Sequence, residues 1–504
     1  MALLNKSTLL VAGLLALVLY NLVTRTRAYL RLRHIKGPRG AGWGKFWLTR
    51  HQFGGKLIKD LQTVCKEYGP LTRIGPDWVV CSDPTEIRRI WSVHSGYQRS
   101  PWYRGFRFDP QRDSLITANE NKEHHRIRSL VIPGYSGRGL ADPEVYVDDA
   151  IGKFLGVIEQ KYVSTSATGI KLFNAGHKMQ YFTQDANSAI EFGKPFGYLD
   201  HDSDFNGIIG AIETMVPATA VMALFPVTLR IMDSGLLNPF LPKLTDQTGV
   251  GRLLGIVHEK VGERYTPDEK KEKRRDVLQA FVDSKMTRQE VEAEALVHLL
   301  GGSDTTATSI RVTLFYLATK PSAHRALQRE VDEFVRAGKA SRPVITDAEA
   351  KSMPYLQACI KEGLRLWPPV SGLMAKVSQK DDVICGQKVP AGTNVAWTAL
   401  GVMRNRELFG EDADTFEPRR WLEADPARLR EMEAVQGLAF AANSRWQCLG
   451  MKLAYLEMGK LFFELFLRYD FAMADPIQPY SWVNYGFTMH ENMNFLITQR
   501  EVEV

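Results

Sequence analysis

A cysteine near the C-terminal end of the chain has the setting that most clearly suggests chemistry. Cys448 lies in the stretch Phe440 to Gly450 (FAANSRWQCLG), directly before an amphipathic run, Met451 to Tyr469, that predicts a helix. The positive end of the helix dipole and free backbone N–H groups favour a thiolate there, and Arg445 adds a nearby cation. A thiolate on a stiff loop can be an axial metal ligand, although a cysteine before a helix is by itself more often a packing residue.

A second pattern lies upstream of this cysteine. Glu362 and Arg365 occur in KEGLRLWPP, and their spacing places both side chains on one face of a helix that the two prolines end. The stretch FEPRRW, which contains Arg420, follows. An E-x-x-R pair alone occurs by chance on many helices. E-x-x-R, then F-x-P-x-R-W, then a loop cysteine, in this order, form a strongly specific combination.

An acid beside an alcohol interrupts the longest apolar helical run. The stretch LLGGSDTT contains two glycines followed by Asp304 and Thr305. Each glycine costs roughly 1 kcal/mol relative to alanine in a helix and leaves room for a small or flat group beside the backbone. The Thr305 hydroxyl can bond a carbonyl one turn back and loosen the helix there. An acid–alcohol pair can relay protons during O₂ reduction, whereas the alternative is a helix kink with a solvated aspartate.

These motifs together resemble those of the cytochrome P-450 family, and the resemblance covers essentially the whole chain. GGSDTT is similar to the family's [AG]-G-x-[DE]-T-[TS], and RWQCLG resembles a fungal branch that includes pisatin-demethylase-like enzymes. The resemblance implies a mainly α fold with small β-sheets, and haem b bound between a long central helix and the cysteine loop. Cys448 would be the axial thiolate ligand of the iron. Glu362, Arg365 and Arg420 would form a buried salt-bridged network that supports the loop.

The same resemblance predicts which cations hold the haem propionates. His124 and Arg128, in HHRIR, lie where the family has a W-x-x-x-R helix. Lys376 stands where an arginine often contacts a propionate, and Arg445 of the cysteine loop is a further candidate. The alternative for each is an ordinary surface base.

The cysteine loop departs from the family pattern F-x-x-G-x-R-x-C-x-G. Phe440 and Arg445 each lie one residue further from Cys448 than in that pattern, and Asn443 or Ser444 takes the place of the glycine. The glycine normally permits a left-handed backbone, which asparagine tolerates best among the other residues. We expect haem binding to be retained.

The N-terminus predicts a membrane anchor. Thr8 to Val23 is nearly all apolar and is preceded by one base, whereas five bases follow it: Arg25, Arg27, Arg31, Arg33 and Lys36. This asymmetry predicts a single transmembrane helix in the endoplasmic reticulum membrane, with the body of the protein cytosolic. A cleaved signal peptide and an interfacial helix are the alternatives. The predicted domains are an anchor with its basic flank, residues 1–35, and one large catalytic domain, residues 36–504.

Composition and periodicity fit a large helical domain. The chain has 504 residues, 44% of them hydrophobic and 24% charged, with a net charge of +7. This excludes disordered and collagenous chains and does not indicate a nucleic-acid partner. Five scattered cysteines without a CxxC pair predict a reducing compartment. Helical periodicity is strongest over 287–318, 321–337 and 353–366, and strand signals are short, over 71–81, 382–388 and 394–399.

The predicted function is that of a haem-thiolate monooxygenase that inserts one oxygen atom from O₂ into a small apolar substrate, as a tailoring step in fungal secondary metabolism. Electrons would come from NADPH through a separate cytochrome P-450 reductase, because the chain has no flavin or nicotinamide fingerprint. Cytochrome b5 is a second candidate partner, and membrane lipid a third. The rival functions are a haem-thiolate isomerase or dehydratase that uses no O₂, and a non-catalytic haem sensor.

Overall fold

The computed structural model describes residues 6–107, 112–137, 141–236, 239, 241–266 and 274–500. Most of these residues are helical. The helices are α1 (Lys6–Arg31), α2 (Phe46–Phe53), α3 (Leu57–Tyr68), α4 (Pro84–Trp91), α5 (Asn121–Tyr135), α6 (Pro143–Lys161), α7 (Ala175–Phe192), α8 (Tyr198–His201), α9 (Ile208–Met222), α10 (Pro226–Asp233), α11 (Gly249–Tyr265), α12 (Val277–Asp283), α13 (Arg288–Thr319), α14 (Pro321–Arg336), α15 (Asp347–Lys351), α16 (Pro354–Leu366), α17 (Ala399–Met403), α18 (Arg406–Phe409), α19 (Arg420–Glu423), α20 (Pro426–Gln436) and α21 (Met451–Arg468). Pro101–Phe106 and Gly437–Phe440 are 3₁₀ turns.

The β-structure is confined to small sheets. The strands are β1 (Leu71–Gly75), β2 (Trp78–Cys81), β3 (Gln98–Arg99), β4 (Leu172–Asn174), β5 (Lys376–Val377), β6 (Asp382–Ile384), β7 (Gln387–Val389), β8 (Asn394–Trp397), β9 (Tyr469–Met473), β10 (Ser481–Asn484), β11 (Thr488–Glu491) and β12 (Asn494–Gln499). One sheet has the order β1-β2-β8-β5-β3 and another β4-β12-β9, while β6-β7 and β10-β11 are hairpins. The predicted class, mainly α with small sheets, is confirmed.

The predicted long helices match α13, α14 and α16 to within a residue or two at each end. The strand predictions were correct in place but too long. The stretch 71–81 turns back at Pro76 and Asp77 to give the antiparallel pair β1-β2. The stretch 382–388 likewise contains a turn, at Cys385 and Gly386, between β6 and β7. Apolar strand residues continue on both sides of such short turns, so hydrophobicity alone does not reveal them.

Helix α13 crosses the core and contacts several of the other long helices. It begins with a capping box, in which Thr287 and Glu290 bond each other's backbone N–H groups. It packs along α7 and also meets α16 and α21. Helix α7 is buried on nearly every side although it is rich in polar residues, among them Gln180, Gln184, Asn187 and Glu191. These side chains must therefore find partners inside the protein.

Helix α1 carries the stretch predicted to span a membrane. Within the described residues, we find no helix that combines the length and hydropathy needed to cross a bilayer. The last turns of α1 pack on the body: the buried Arg73 guanidinium donates to the carbonyls of Ala28 and Tyr29, each at 3.0 Å. Tyr29 also stacks on Trp43 at 4.4 Å between ring centroids. The predicted transmembrane helix is thus not supported, and the boundary at residue 35 stays a prediction.

Candidate functional site

The cysteine loop is a tight hydrogen-bonded turn that ends at α21. The backbone N–H of Cys448 donates to the Phe440 carbonyl at 2.9 Å and closes the loop. Inside it, the Ser444 hydroxyl donates to the Ala441 carbonyl at 2.6 Å and accepts the Trp446 N–H at 3.1 Å. The Cys448 side chain remains accessible to solvent. The loop therefore presents the thiol outward while its own polar groups bond one another.

Two residues of the loop have left-handed backbone conformations. Asn443 has φ 59°, which is the conformation expected for the residue that replaces the family glycine. Ala441, at φ 49°, shares it and was not foreseen, because alanine has no sequence signature for this region. The Asn443 carbonyl accepts the N–H of Val93 at 3.0 Å, which attaches the loop to the segment after α4.

The pKa of the Cys448 thiol differs from the sequence-based expectation in two ways: in its direction, and in the cation that lowers it. Protein atoms crowd the sulfur on several sides, so desolvation raises the thiol pKa, although the thiol is still reached by solvent. The backbone N–H groups of Gly450 and Met451 lower the pKa in part, as the helix position predicts. The cation that also lowers it is Arg128 and not Arg445. Arg445 points elsewhere and donates to the Val93 carbonyl at 3.0 Å.

Arg128 holds the cysteine loop from helix α5. Its Nη1 donates to the carbonyl of Gln447, the residue before Cys448, at 2.8 Å. This single contact places a guanidinium beside the thiol and anchors the loop to a separate helix. Arg128 was predicted only as a propionate contact, and the structure adds this role in positioning the loop.

The structure brings Glu362, Arg365 and Arg420 together. Arg365 donates to both carboxylate oxygens of Glu362, each at 2.8 Å, and Arg420 Nε donates to Oε1 at 2.9 Å. The Trp421 indole N–H donates to the other oxygen at 2.9 Å. Burial raises the pKa of Glu362, but the two guanidinium groups outweigh it and hold the pKa below its ordinary value. The remaining donors of Arg365 reach the carbonyl of Met403 at 2.8 Å and other backbone oxygens.

Two of the residues predicted to hold propionates, Lys376 and His124, lie around the indole ring of Trp446. The Lys376 ammonium lies 3.5 Å from the centroid of the Trp446 ring, and His124 packs 5.9 Å from the same ring. A further cation, Arg99, lies 5.8 Å from the ring and was missed by the sequence analysis. Arg99 sits on the short strand β3, where no motif marks it. In the described part of the chain, no carboxylate is paired with Lys376 or Arg99.

Three buried polar atoms in this cluster have no hydrogen-bond partner among the described residues: Lys376 Nζ, His124 Nε2 and Trp446 Nε1. Burial, followed by the charges of Arg99 and Arg445, lowers the pKa of Lys376 well below its usual value. Burial, with Arg99 next, lowers the pKa of His124 to about 2. A cluster of buried donors without partners among the described residues fits the carboxylates of a haem, and a solvent-accessible cysteine nearby fits its iron.

Helix α13 supplies the acid–alcohol pair without a break in the helix. The Thr305 hydroxyl donates to the Gly301 carbonyl one turn back, at 2.7 Å, as predicted. A Cβ at Gly301 would meet open space, whereas one at Gly302 would lie 2.5 Å from Asn187 Oδ1. The two glycines therefore serve different purposes, since Gly301 faces open space and Gly302 admits a side chain of α7.

Asp304 is half-buried, with a buried arginine from the same helix beside it. Desolvation raises the pKa of Asp304, and the Arg311 guanidinium, 4.0 Å away, opposes this only in part. Arg311 is itself held by Gln180 of α7 at 2.8 Å. Asp304 is thus an acid that keeps its proton to a higher pH than an ordinary aspartate.

Behind the glycines lies an acid–amide pair that the sequence did not reveal. Asn187 Nδ2 of α7 donates to Glu457 Oε1 of α21 at 3.3 Å. Burial raises the pKa of Glu457 well above its usual value, so this carboxyl keeps its proton to a higher pH than an ordinary glutamate. The other two polar atoms, Asn187 Oδ1 and Glu457 Oε2, have no other partner among the described residues. A proton on Oε2 would satisfy both.

The fold and this site define a haem-thiolate protein. The family model described as cytochrome P450 matches residues 38–497. Relatives include cytochrome P450 monooxygenase ABA1 of Pyricularia oryzae, 34% identical over 97% of both chains. They also include cytochrome P450 monooxygenase aba1 of Botryotinia fuckeliana, 33% identical over 93% of this chain and 92% of the relative. A third is cytochrome P450 monooxygenase abl1 of Leptosphaeria maculans, 33% identical over 92% of this chain and 82% of the relative. The chain belongs to the cytochrome P450 family, and it is a monooxygenase that requires haem iron and a redox partner.

Proposed function

We propose that Cys448 is the axial ligand of a haem that this chain uses to insert one oxygen atom from O₂ into a small apolar molecule of fungal secondary metabolism. The observation that carries the proposal is the accessible Cys448 thiol near two buried groups, Lys376 Nζ and His124 Nε2, that have no hydrogen-bond partner among the described residues. A thiolate-ligated haem supplies an electron-rich iron that favours O–O cleavage. The isomerase and sensor alternatives are not favoured, since the relatives are named monooxygenases.

The residues around Cys448 bind and orient the cofactor. Lys376, His124 and Arg99 would hold the two propionates, with Lys376 Nζ as the first donor because it has no acceptor among the described residues. Arg128 both anchors the loop and lies beside the thiol. Arg445 is a weaker candidate because it is exposed and already bonded to Val93. The network centred on Glu362 stabilises the structure and does not touch the reacting atoms.

Asp304 and Thr305, both on helix α13, would hold and transfer protons. Because the Thr305 hydroxyl donates its hydrogen to the Gly301 carbonyl, its oxygen is left to accept a hydrogen bond and so to hold a water. Asp304, whose raised pKa lets it keep its proton to a higher pH than an ordinary aspartate, can return a proton to that water. Arg311 orients the carboxylate and limits how far its pKa rises.

A group of aromatic side chains is consistent with the proposal that the substrate is apolar. Trp102 and Phe106, from the 3₁₀ turn after β3, form an edge-to-face pair at 4.7 Å. Phe106 also meets Phe487, at the tip of the β10-β11 hairpin, at 6.2 Å. Gly372 and Gly486 pack backbone to backbone beneath this tip, so that a Cβ at Gly372 would lie 2.7 Å from the Gly486 Cα. These rings would exclude water from a bound substrate, and the only donor among them is the Trp102 indole N–H, which has no hydrogen-bond partner among the described residues.

The proposed electron donors are NADPH–cytochrome P450 reductase and cytochrome b5, and the proposed location is the cytosolic face of the endoplasmic reticulum membrane. Helix α1 supports the location because it exposes a run of apolar side chains: Val11, Leu14, Leu15, Val18, Leu19 and Leu22. The basic residues that follow this run favour the cytosolic side. Fractionation of expressing cells, with protease protection of the body, tests the location.

The decisive experiment is the spectrum of the reduced carbon monoxide complex. Wild type should show the strongly red-shifted Soret band of a thiolate-ligated haem, and Cys448→Ser should lose it. Cys359→Ser is the matched control, since that buried thiol lies in α16 and should leave the band unchanged. A red-shifted band in Cys448→Ser would refute the assignment. With reductase and NADPH present, incorporation of label from ¹⁸O₂ into a product formed from fungal metabolite extracts tests oxygen insertion itself.

A further inference from the structure

Two of the five cysteines lie side by side although they are far apart in the sequence. Cys81 ends strand β2, Cys385 stands in the turn between β6 and β7, and their sulfur atoms are 4.0 Å apart. Cys81 is completely buried in a core cluster with Ile384 and Trp397. Cys385 is only half-buried. The pair thus combines an accessible sulfur with an inaccessible one within contact distance.

The hydrogen bond between the two thiols makes them chemically unequal. The two sulfur atoms are in hydrogen-bond contact, and this contact is the main cause that lowers the pKa of Cys385. The same bond, together with burial, raises the pKa of Cys81 well above its usual value. The thiolate is the nucleophilic form of cysteine, so the exposed sulfur is also the more reactive one.

The turn that carries Cys385 holds the sulfur in place. Cys385 and Gly386 both have positive φ, 49° and 72°, as in the two-residue hairpin turns that favour Asn-Gly. The Cys385 N–H donates to Glu86 Oε1 of α4 at 3.0 Å. Arg89 of the same helix donates to the Asp382 carboxylate at 2.9 Å. Helix α4 therefore secures the hairpin from outside and keeps Cys385 beside β2.

We propose that Cys81 and Cys385 form an oxidisable dithiol, a modification site whose oxidant is hydrogen peroxide. The Cys385 thiolate attacks one peroxide oxygen, the O–O bond breaks, and the departing hydroxide takes up a proton to leave as water. The Cys81 sulfur then attacks the resulting sulfenic acid, the S–O bond breaks, and a second water leaves as the S–S bond forms. Two thiols lose two electrons, and one peroxide is reduced to two waters.

The movement that this reaction needs is small. The sulfur atoms must approach from 4.0 Å to the bond length of about 2.05 Å. The disulfide would join the β6-β7 hairpin covalently to the five-stranded sheet through β2. Neither cysteine belongs to the haem site proposed above, so the dithiol can be tested independently of monooxygenase activity.

Peptide mapping of the full-length ferric holoprotein tests the proposal without reductase or NADPH. The protein is reduced, freed of reductant, treated with one equivalent of hydrogen peroxide, alkylated and digested with trypsin. Cys81 and Cys385 fall in separate single-cysteine peptides, residues 74–88 and 381–388. We expect these two peptides to be linked in most of the oxidised protein and to separate on reduction. The absence of the linked pair would overturn the proposal, as would equal linkage in protein unfolded before oxidation.

Two variants assign the order of attack. In Cys81→Ala, dimedone should trap a sulfenic acid on the peptide 381–388, because no thiol remains to displace it. In Cys385→Asn, the peptide 74–88 should stay unmodified. Asparagine suits the left-handed turn position, so this variant should keep the wild-type melting temperature and Soret band. A dimedone adduct on Cys81 in Cys385→Asn would reverse the assigned roles and overturn the proposal.

Discussion

At the scale of single residues, Thr305 carries the most direct test of proton delivery. Thr305→Ala should keep the fold and the haem but lower product formed per NADPH consumed, with the missing reducing equivalents appearing as hydrogen peroxide. The expected loss in product rate is about 10²-fold, the lower end for proton transfer, because water can partly replace the hydroxyl. The measurement is coupling, with NADPH, product and peroxide assayed together.

Thr305→Ser is the matched control for that variant. Serine keeps the hydroxyl that donates to the Gly301 carbonyl and should retain most of the coupling. If Thr305→Ala coupled as well as wild type, the acid–alcohol pair would have no part in proton delivery. The contrast between alanine and serine separates loss of the hydroxyl from loss of packing.

Glu362 is the residue on which the buried ion network depends. Glu362→Gln leaves Arg365 and Arg420 without their shared charge, and removing one partner of a buried pair costs about 3–5 kcal/mol. Denaturant unfolding should show this loss together with poor haem incorporation. Glu433→Gln is the control, because its ion pair with Lys361 lies at the surface, where such pairs contribute about 0–1 kcal/mol.

The network also predicts an acid-side loss of stability. The pKa of Glu362 is lower in the folded than in the unfolded protein, so its ionised form stabilises the fold at pH values above the unfolded pKa of about 4.3. That contribution is lost as the pH falls through the lower, folded pKa. We expect wild type to lose free energy of unfolding over this range, and Glu362→Gln to lose less. Equal slopes for the two proteins would contradict the assignment.

At the scale of elements, the contact among α7, α13 and α21 contains a buried carboxyl, Glu457, whose pKa is raised. The infrared difference spectrum of wild type minus Glu457→Gln at pH 7 should contain the carbonyl band of a protonated carboxylic acid, because other buried carboxyls such as Glu294, whose pKa is about 8, contribute equally to both proteins and cancel. Glutamine can still accept from Asn187 Nδ2 and can donate to Oδ1, so the helices should stay together. Glu464→Gln, seven residues along the same helix, should leave the band intact, since Glu464 is ion-paired with Arg468.

The sign of the pH dependence for Glu457 is opposite to that for Glu362. The pKa of Glu457 is raised in the folded protein, so the folded state holds up to one more proton than the unfolded state at pH values between the unfolded pKa of about 4.3 and the higher folded pKa. Stability from this group therefore falls as the pH rises towards the folded pKa. Glu457→Gln should remove that decline, which unfolding titrations between pH 5 and pH 8 would detect.

At the scale of the whole molecule, the structure decides how much of the N-terminal helix α1 can be deleted without loss of stability. Residues 28 and 29 supply carbonyl acceptors for the buried Arg73 guanidinium. Deletion of residues 1–33 removes both acceptors, whereas deletion of residues 1–24 keeps them and still removes the exposed apolar run. The shorter deletion should release protein from membranes with its wild-type melting temperature. The longer one should melt earlier, and equal melting temperatures would show that Arg73 does not need these acceptors.

Local spacing in the sequence was enough to predict the parts of the site that lie on one element. Glu362 and Arg365 meet because residues three apart share a helix face, and Thr305 bonds Gly301 for the same geometric reason. The order of motifs identified the family, and the left-handed conformation of Asn443 followed from the properties of its side chain. These features depend on the backbone of a single segment.

The tertiary structure decided everything that depends on segments distant in the chain. Only the fold places Arg128 beside Cys448, Arg99 beside Trp446, and Asn187 against Glu457. The Cys81–Cys385 pair, 304 positions apart, is of the same kind. Such contacts have no periodicity along the sequence, because they arise when packing of the apolar core brings separate elements together and buries their polar side chains side by side.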